Sequence, residues 1–124
     1  MIDERSKKNL QGVHPDLVRV VYRADELDPN SFQVIEGLRT NSRQAELLAK
    51  KATKTMKSRH LTGHAVDLMA LVNGEGRWDW PLYSNLAKVM KEASKIEAVP
   101  ITWGGDWTTF KDGPHFELSW TKYP

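Results

Sequence analysis

The stretch Ser58-Arg59-His60-Leu61-Thr62-Gly63-His64-Ala65-Val66-Asp67-Leu68 decides how this chain folds. It sets two strong metal ligands, His60 and Asp67, seven residues apart with Gly63 between them. A straight helix would separate the pair by about 10.5 Å along its axis. Zinc bonds to nitrogen and oxygen are only about 2.0–2.2 Å long. A turn at Gly63 followed by a strand suits the pair better, because glycine tolerates the positive φ of a tight reversal. Ala65 to Leu71 then reads as a strand. Asp67 shares one face with Ala65 and Met69, and Val66, Leu68 and Ala70 take the other. A carboxylate inside so apolar a strand is costly to bury unless something pairs with it. A cation is the simplest partner.

A second stretch, Asp112-Gly113-Pro114-His115-Phe116-Glu117, can complete the set. Catalytic zinc typically takes three protein ligands and leaves its fourth position to water, whose pKa falls to about 7. His60, Asp67 and His115 meet that count. Asp112 precedes His115 by three residues across a rigid Gly-Pro turn, which suits a general base held beside the metal. Glu117 competes for that role. It shares a strand face with His115, so it is either the base or a hydrogen-bonding support for a histidine. His60 and His64 have the helical two-histidine spacing, but Gly63 and the missing glutamate argue against a zincin helix. His64 reads as a flanking, partly exposed residue.

The bulk numbers fit an ordinary globular domain. A chain of 124 residues is long enough for one domain with a real core. Its net charge of +2 (18 − 16) is too small to point to nucleic acid. With no cysteine, thiolate metal sites, disulfides and a cysteine nucleophile are all excluded. No apolar run is long enough to span a membrane. Met1 to Lys8 has no signal-peptide core, so the expectation is synthesis in a cytoplasm with no export address.

Outward from the motif, residues 1–13 read as polar and irregular. Pro15 to about Leu27 reads as a helix with the stripe Leu17, Val20, Val21, Ala24 and Leu27. His14 before it reads as a surface or capping residue. Phe32 to Leu38 reads as a strand. Asn41, with Gln44 as capping-box partner, opens a helix to about Lys54 that buries Ala45, Leu47, Leu48 and Ala49. Lys50, Lys51, Lys54 and Lys57 form a basic cluster near its end, favourable to the helix dipole. Asn73 to Gly76 reads as a turn or loop. A helix from Asp79 or Trp80 carries Leu82, Leu86, Val89, Met90, Ala93 and Ile96. Ile101 to Trp103 is a short strand, Gly104 to Trp107 a turn, and Phe116 to Trp120 the last strand. Trp103, Trp107 and Trp120, with Phe116, are candidates for a cleft wall or for core. The mixture predicts an α+β fold: about three helices and a small, mostly antiparallel sheet.

The motif Ser58-x-His60-x-x-Gly63-x-Ala65-x-Asp67 resembles the S-x-H-x-x-G-x-A-x-D signature of the D-Ala-D-Ala metallopeptidases of the VanX/VanY kind. Asp112-x-x-His115 resembles the acid-x-x-His element that completes their site. Leu10 to Leu17, Glu36 to Arg39 and Trp103 to Trp107 are similar to the phage L-alanyl-D-glutamate endopeptidases of that group, the small endolysins. The resemblance implies a hedgehog/D-Ala-D-Ala-peptidase-like fold and a zinc peptidase that cuts the L-Ala–D-Glu bond of the peptidoglycan stem; a monomer is expected. It implies His60, Asp67 and His115 as zinc ligands and Asp112 as base. Ser58 would support the site by hydrogen bonding, and Arg39 would bind a substrate carbonyl or carboxylate. Trp107 and Glu117 join as substrate-binding or supporting residues. VanX/VanY enzymes carry glutamate where this chain has Asp112, a departure shared with the phage group. Two other functions compete: a D,D-carboxypeptidase or dipeptidase on D-Ala-D-Ala, and a non-catalytic zinc-bearing wall-binding module. A lysis enzyme of this kind would be made in the host cytoplasm, insert in no membrane, and depend on a partner such as a holin to reach the wall.

Overall fold

The strand β2, Ala65–Val72, is the axis on which the other elements are hung. It pairs with β1 (Phe32–Glu36) on one side and with β5 (His115–Leu118) on the other; β5 in turn pairs with β4 (Ile101–Trp103). A short strand β3 (Glu75–Arg77) folds back onto the end of β2. All the pairings are antiparallel, giving one five-stranded sheet. Four α-helices accompany it among the described residues: α1 (Glu4–Asn9), α2 (Pro15–Leu27), α3 (Asn41–Ala49) and α4 (Trp80–Glu97). This computed structural model describes residues 2–50, 58–109 and 111–124.

The β2 pleat does what its sequence predicts. Val66, Leu68 and Ala70 are buried on one face, and Asp67 and Met69 take the other. The buried face meets α2 and α4, which pack against each other over it. Leu17, Val20, Val21 and Ala24 of α2 are fully buried, as are Met90 and Ala93 of α4. Each such aliphatic side chain contributes about 1.5–3 kcal/mol when removed from water. Both helices begin with proline in the first turn. His14 caps α2 by accepting the Asp16 amide on Nδ1 at 3.0 Å, the capping role read from sequence.

Several expectations need correction. The stretch predicted to be irregular holds a helix, α1, over Glu4–Asn9. Asp3 caps α1, and the helix lies along the outer edge of β1. Ser6 Oγ accepts the Val34 amide (2.8 Å) and Asn9 donates to the Val34 carbonyl (2.8 Å), so polar side chains satisfy an edge strand. Among the described residues the helices therefore number four, where the sequence predicts about three. Thr40, not Asn41, caps α3. Gln44 is no capping-box partner, because its side chain is drawn inside to accept from Arg39. Ala45, Leu48 and Ala49 are exposed and Leu47 half-buried, so α3 does not bury the face its apolar residues suggested. The expected extension of that helix to Lys54, and Lys51, Lys54 and Lys57 of the basic cluster, lie outside the described residues. Leu27 and Ile96, at the ends of their helices, face solvent. The β1 strand closes at Glu36 rather than Leu38, and β5 ends at Leu118 rather than Trp120. The Asn73-Gly74 loop is the tip of the β2–β3 hairpin, with both residues at positive φ (54° and 81°).

Candidate metal centre

Strand register assembles the site. Asp67 sits directly opposite His115 in the β2–β5 pair and opposite Glu36 in the β1–β2 pair. Cross-strand partners share a face, so Asp67 and His115 project together, away from the core. His60 arrives from a single 3-10 turn, Arg59–Thr62. Ser58 caps that turn, its hydroxyl accepting the His60 amide at 3.2 Å. Gly63 ends it in the left-handed region at φ 74°, where a side chain would also strike the Gly12 carbonyl. The Arg39 amide donates to the His60 carbonyl (2.8 Å), which fixes the turn against the end of β1.

Hydrogen bonds determine which ring nitrogens face inward. His60 Nδ1 lies 2.8 Å from the Gly37 carbonyl, so it carries the proton and leaves Nε2 bare. That Nε2 stands 3.2 Å from Asp67 Oδ1. His115 is held the other way round. Its Nε2 lies 2.7 Å from the buried Glu117 carboxylate, and its Nδ1 stands 3.3 Å from the same Asp67 oxygen. His60, Asp67 and His115 each offer one ligand atom, all within 4.8 Å of one another. A tetrahedral ion with bonds of about 2.0–2.1 Å spaces its ligands about 3.3–3.4 Å apart. The separations at Asp67 match that edge, and the donor set of two imidazoles and a carboxylate suits a divalent cation.

Electrostatics point the same way. Burial alone would raise the Asp67 pKa, but the His115 and His60 rings set against it outweigh that and hold the carboxyl well below its usual range. Burial would lower His115; Asp67 and Glu117 overcome it and push the imidazole up to about 9. The cluster thus demands positive charge, which a proton supplies when no metal does. Asp112 moves upward, chiefly through burial and then through the negative charge of Asp67, with His115, His60 and Arg39 opposing. Its turn is tightly held. Trp103 Nε1 donates to the Gly113 carbonyl (2.7 Å), and the Asp112 amide donates to the Gly104 carbonyl (3.1 Å).

The remaining predicted residues sort clearly. Arg39 is buried beside the cluster, yet most of its donors are already engaged. Nε meets Glu36 at 2.6 Å, Nη1 meets Gln44 at 2.7 Å and Ser58 at 3.5 Å, and Nη2 lies 3.8 Å from Asp67 Oδ2. Trp107 packs on His115, ring centroids 5.0 Å apart. Trp103 and Phe116 are core, not cleft wall, and Trp120 stacks on the Arg59 guanidinium, 3.9 Å away. His64 turns outward to Thr62, its pKa lowered by burial and by Arg59. The sequence reading missed Gly37, whose carbonyl orients His60; a residue that acts through its backbone leaves no chemical signature.

The sequence matches the phage L-alanyl-D-glutamate peptidase family over residues 1–119. An L-alanyl-D-glutamate peptidase of Escherichia phage T5 is 32% identical over 113 residues, covering 88% of this chain and 82% of that protein. Among solved structures, the L-Ala D-Glu endopeptidase ChiX of Serratia marcescens superposes with a TM-score of 0.90 at 45% identity, covering 98% of this chain and 91% of that one. The vancomycin-resistance D,D-dipeptidase VanXYg aligns with a TM-score of 0.57 at 20% identity, over 86% of this chain and 50% of that one, a likeness of fold alone.

Proposed function

The chain belongs to the phage L-alanyl-D-glutamate peptidase family, and from that premise we propose that it is a metal-dependent endolysin cutting the L-Ala–D-Glu bond of the peptidoglycan stem. The observation that carries the metal reading is the convergence of His60 Nε2, His115 Nδ1 and one Asp67 carboxylate, each histidine pinned from behind. Zinc is the ion this donor set fits best. Such an ion, when bound, would polarise the scissile carbonyl and make water a better nucleophile at neutral pH.

The chain's own residues supply the rest. Asp112 takes the proton of the attacking water and returns it to the departing D-Glu amine as the C–N bond breaks. Its raised pKa suits a group that must both accept and give a proton. Glu117 keeps His115 in the tautomer that presents Nδ1. Ser58 fixes the His60 turn. Arg39 braces Asp67 and leaves Nη2 on the site side, where a substrate carbonyl or carboxylate can meet it. Trp107 walls the His115 side. Among the described residues no helix is long and apolar enough to cross a membrane. We place synthesis in the host cytoplasm and action at the wall.

The test is digestion of purified sacculi, with mass spectrometry of the fragments, with and without chelator. Stems cleaved between L-Ala and D-Glu, only when metal is available, are expected; free D-Ala as the sole product would overturn the assignment. Asp112→Asn should keep its metal and lose about 10²–10⁴ in rate.

A further inference from the structure

Two of the exposed aromatic side chains that the chemistry above leaves unused lie close together in sequence: Trp78 is 59% exposed and Trp80 47%. Neither dangles. Trp78 stacks on Tyr83, with ring centroids 5.9 Å apart and planes 6° from parallel. Trp80 lies over Trp103 at 5.8 Å and 32°. Each indole therefore rests against an inner aromatic while keeping about half of its surface in water. The segment that carries them is stiff. Tyr83, only 2% exposed, donates its hydroxyl to the Arg77 carbonyl (2.7 Å) and accepts the Ala70 amide (3.0 Å).

This shelf is continuous with the catalytic turn. A Cβ placed on Gly113 would meet Trp80 Cζ3 at 3.2 Å, and Gly113 follows Asp112 directly. The cations beside the rings are already paired: Arg77 with Asp79 at 2.7 Å, and Lys91 with Asp106 at 2.8 Å. What the shelf offers is flat, apolar and neutral. That is a poor match for the carboxylates of the stem beyond D-Glu. It is a good match for a pyranose, whose axial C–H face is apolar and whose rim is polar.

The substrate's connectivity puts such a ring within reach. The stem joins the glycan through L-Ala, whose amine is acylated by the lactyl arm of muramic acid. One residue, about 3.5 Å of chain, and that short arm separate the scissile carbonyl from the sugar. We propose that Trp80, with Trp78 beside it, is a glycan-binding shelf that stacks on the muramyl sugar, so that the enzyme prefers stems still attached to glycan over released peptides. The proposal rests on the L-Ala–D-Glu reading above and deepens it. Prepaid ordering of the two rings is what lets so small a contact count.

The experiment compares two substrates of one sequence: a muramoyl tripeptide, and the same tripeptide carrying only a lactoyl cap. Wild-type enzyme should favour the muramoyl form by about tenfold or more in kcat/KM, expressed mainly in KM. Trp80→Ala should collapse that ratio toward one, and Trp80→Phe should restore part of it. Trp120→Ala, which removes another exposed indole (58% against 47% for Trp80) beyond the other end of β5, should leave the ratio at its wild-type value. Equal kcat/KM for the two substrates with wild-type enzyme overturns the shelf, whatever the variants do. So does a Trp80→Ala ratio equal to wild type. If neither substrate is cut between L-Ala and D-Glu, it is the functional reading itself that falls.

Discussion

Replacing Glu117 by Gln separates two roles that one carboxylate beside a candidate metal-binding histidine can play. Glu117 Oε1 lies 2.7 Å from His115 Nε2, with both side chains only 7% exposed. Gln keeps an acceptor at that point, so His115 stays in the same tautomer, but the negative charge is gone. Charge-assisted hydrogen bonds contribute about 1.5–3 kcal/mol and neutral ones about 0.5–1.5. The difference is about 1–1.5 kcal/mol, or roughly five- to tenfold in metal affinity. Glu117→Ala goes further, leaving a buried N–H unpaired at about 1–3 kcal/mol, and should approach a hundredfold loss, the upper end for a partner of a metal ligand. Chelator-competition titration with zinc measures the affinity, and kcat/KM at saturating zinc measures the chemistry. Glu117→Gln should weaken zinc binding and leave the saturated rate within about threefold of wild type. The opposite pattern, unchanged affinity with hydrolysis lost a hundredfold or more, would make Glu117 the base and displace Asp112.

Four further outcomes follow from the same geometry. In the metal-free protein the His115 pKa stands at about 9 against an ordinary 6.5, so its contribution to stability is complete below about 6.5 and fades as pH rises through 9. Asp67 is shifted down, so its contribution holds above its ordinary 3.8 and is lost on acidification; melting in chelator should peak between these limits. Because the ligand must be neutral, zinc affinity should climb from pH 6.5 to 9 and binding at pH 7 should release close to one proton, which calorimetry in buffers of different ionisation enthalpy counts. Gly63→Ala places a side chain at φ 74° and against the Gly12 carbonyl, and should cost about 2–4 kcal/mol in denaturant unfolding. Arg39→Lys should fail to rescue Arg39→Ala in kcat/KM, because one ammonium cannot serve Glu36, Gln44 and Ser58 while facing Asp67.

What was legible in the sequence and what was not have different physical origins. The β2 strand, α2, α4 and the His60–Asp67 reversal were readable because each is set by local rules: a period of two, a period of 3.6, proline at a helix start, glycine in a tight turn. The α1 helix was missed because its six residues are stabilised from outside, by Ser6 and Asn9 bonding to Val34 some two dozen residues away. The α3 face failed for the converse reason. Its apolar residues have the right spacing, yet the one side chain drawn fully inside is Gln44, whose partner is the Arg39 guanidinium. Periodicity reports where hydrophobic burial pulls; it is silent where a buried cation recruits a polar partner instead.

The candidate ligand set and the core are one constraint. Because side chains alternate along β2, the step that sends Val66 and Leu68 into the core is the step that sends Asp67 to face His115. Slipping β2 by one residue against β5 would expose the first pair and bury the carboxylate in the apolar layer, so both errors are penalised together. The register is therefore fixed by several kcal/mol of apolar burial before any metal arrives. His60 is brought in independently by a turn stapled to β1 through the Arg39 amide and the Gly37 carbonyl. A cluster built this way needs little reorganisation to accept an ion, because both facing imidazole nitrogens already stand about one tetrahedral edge from Asp67 Oδ1.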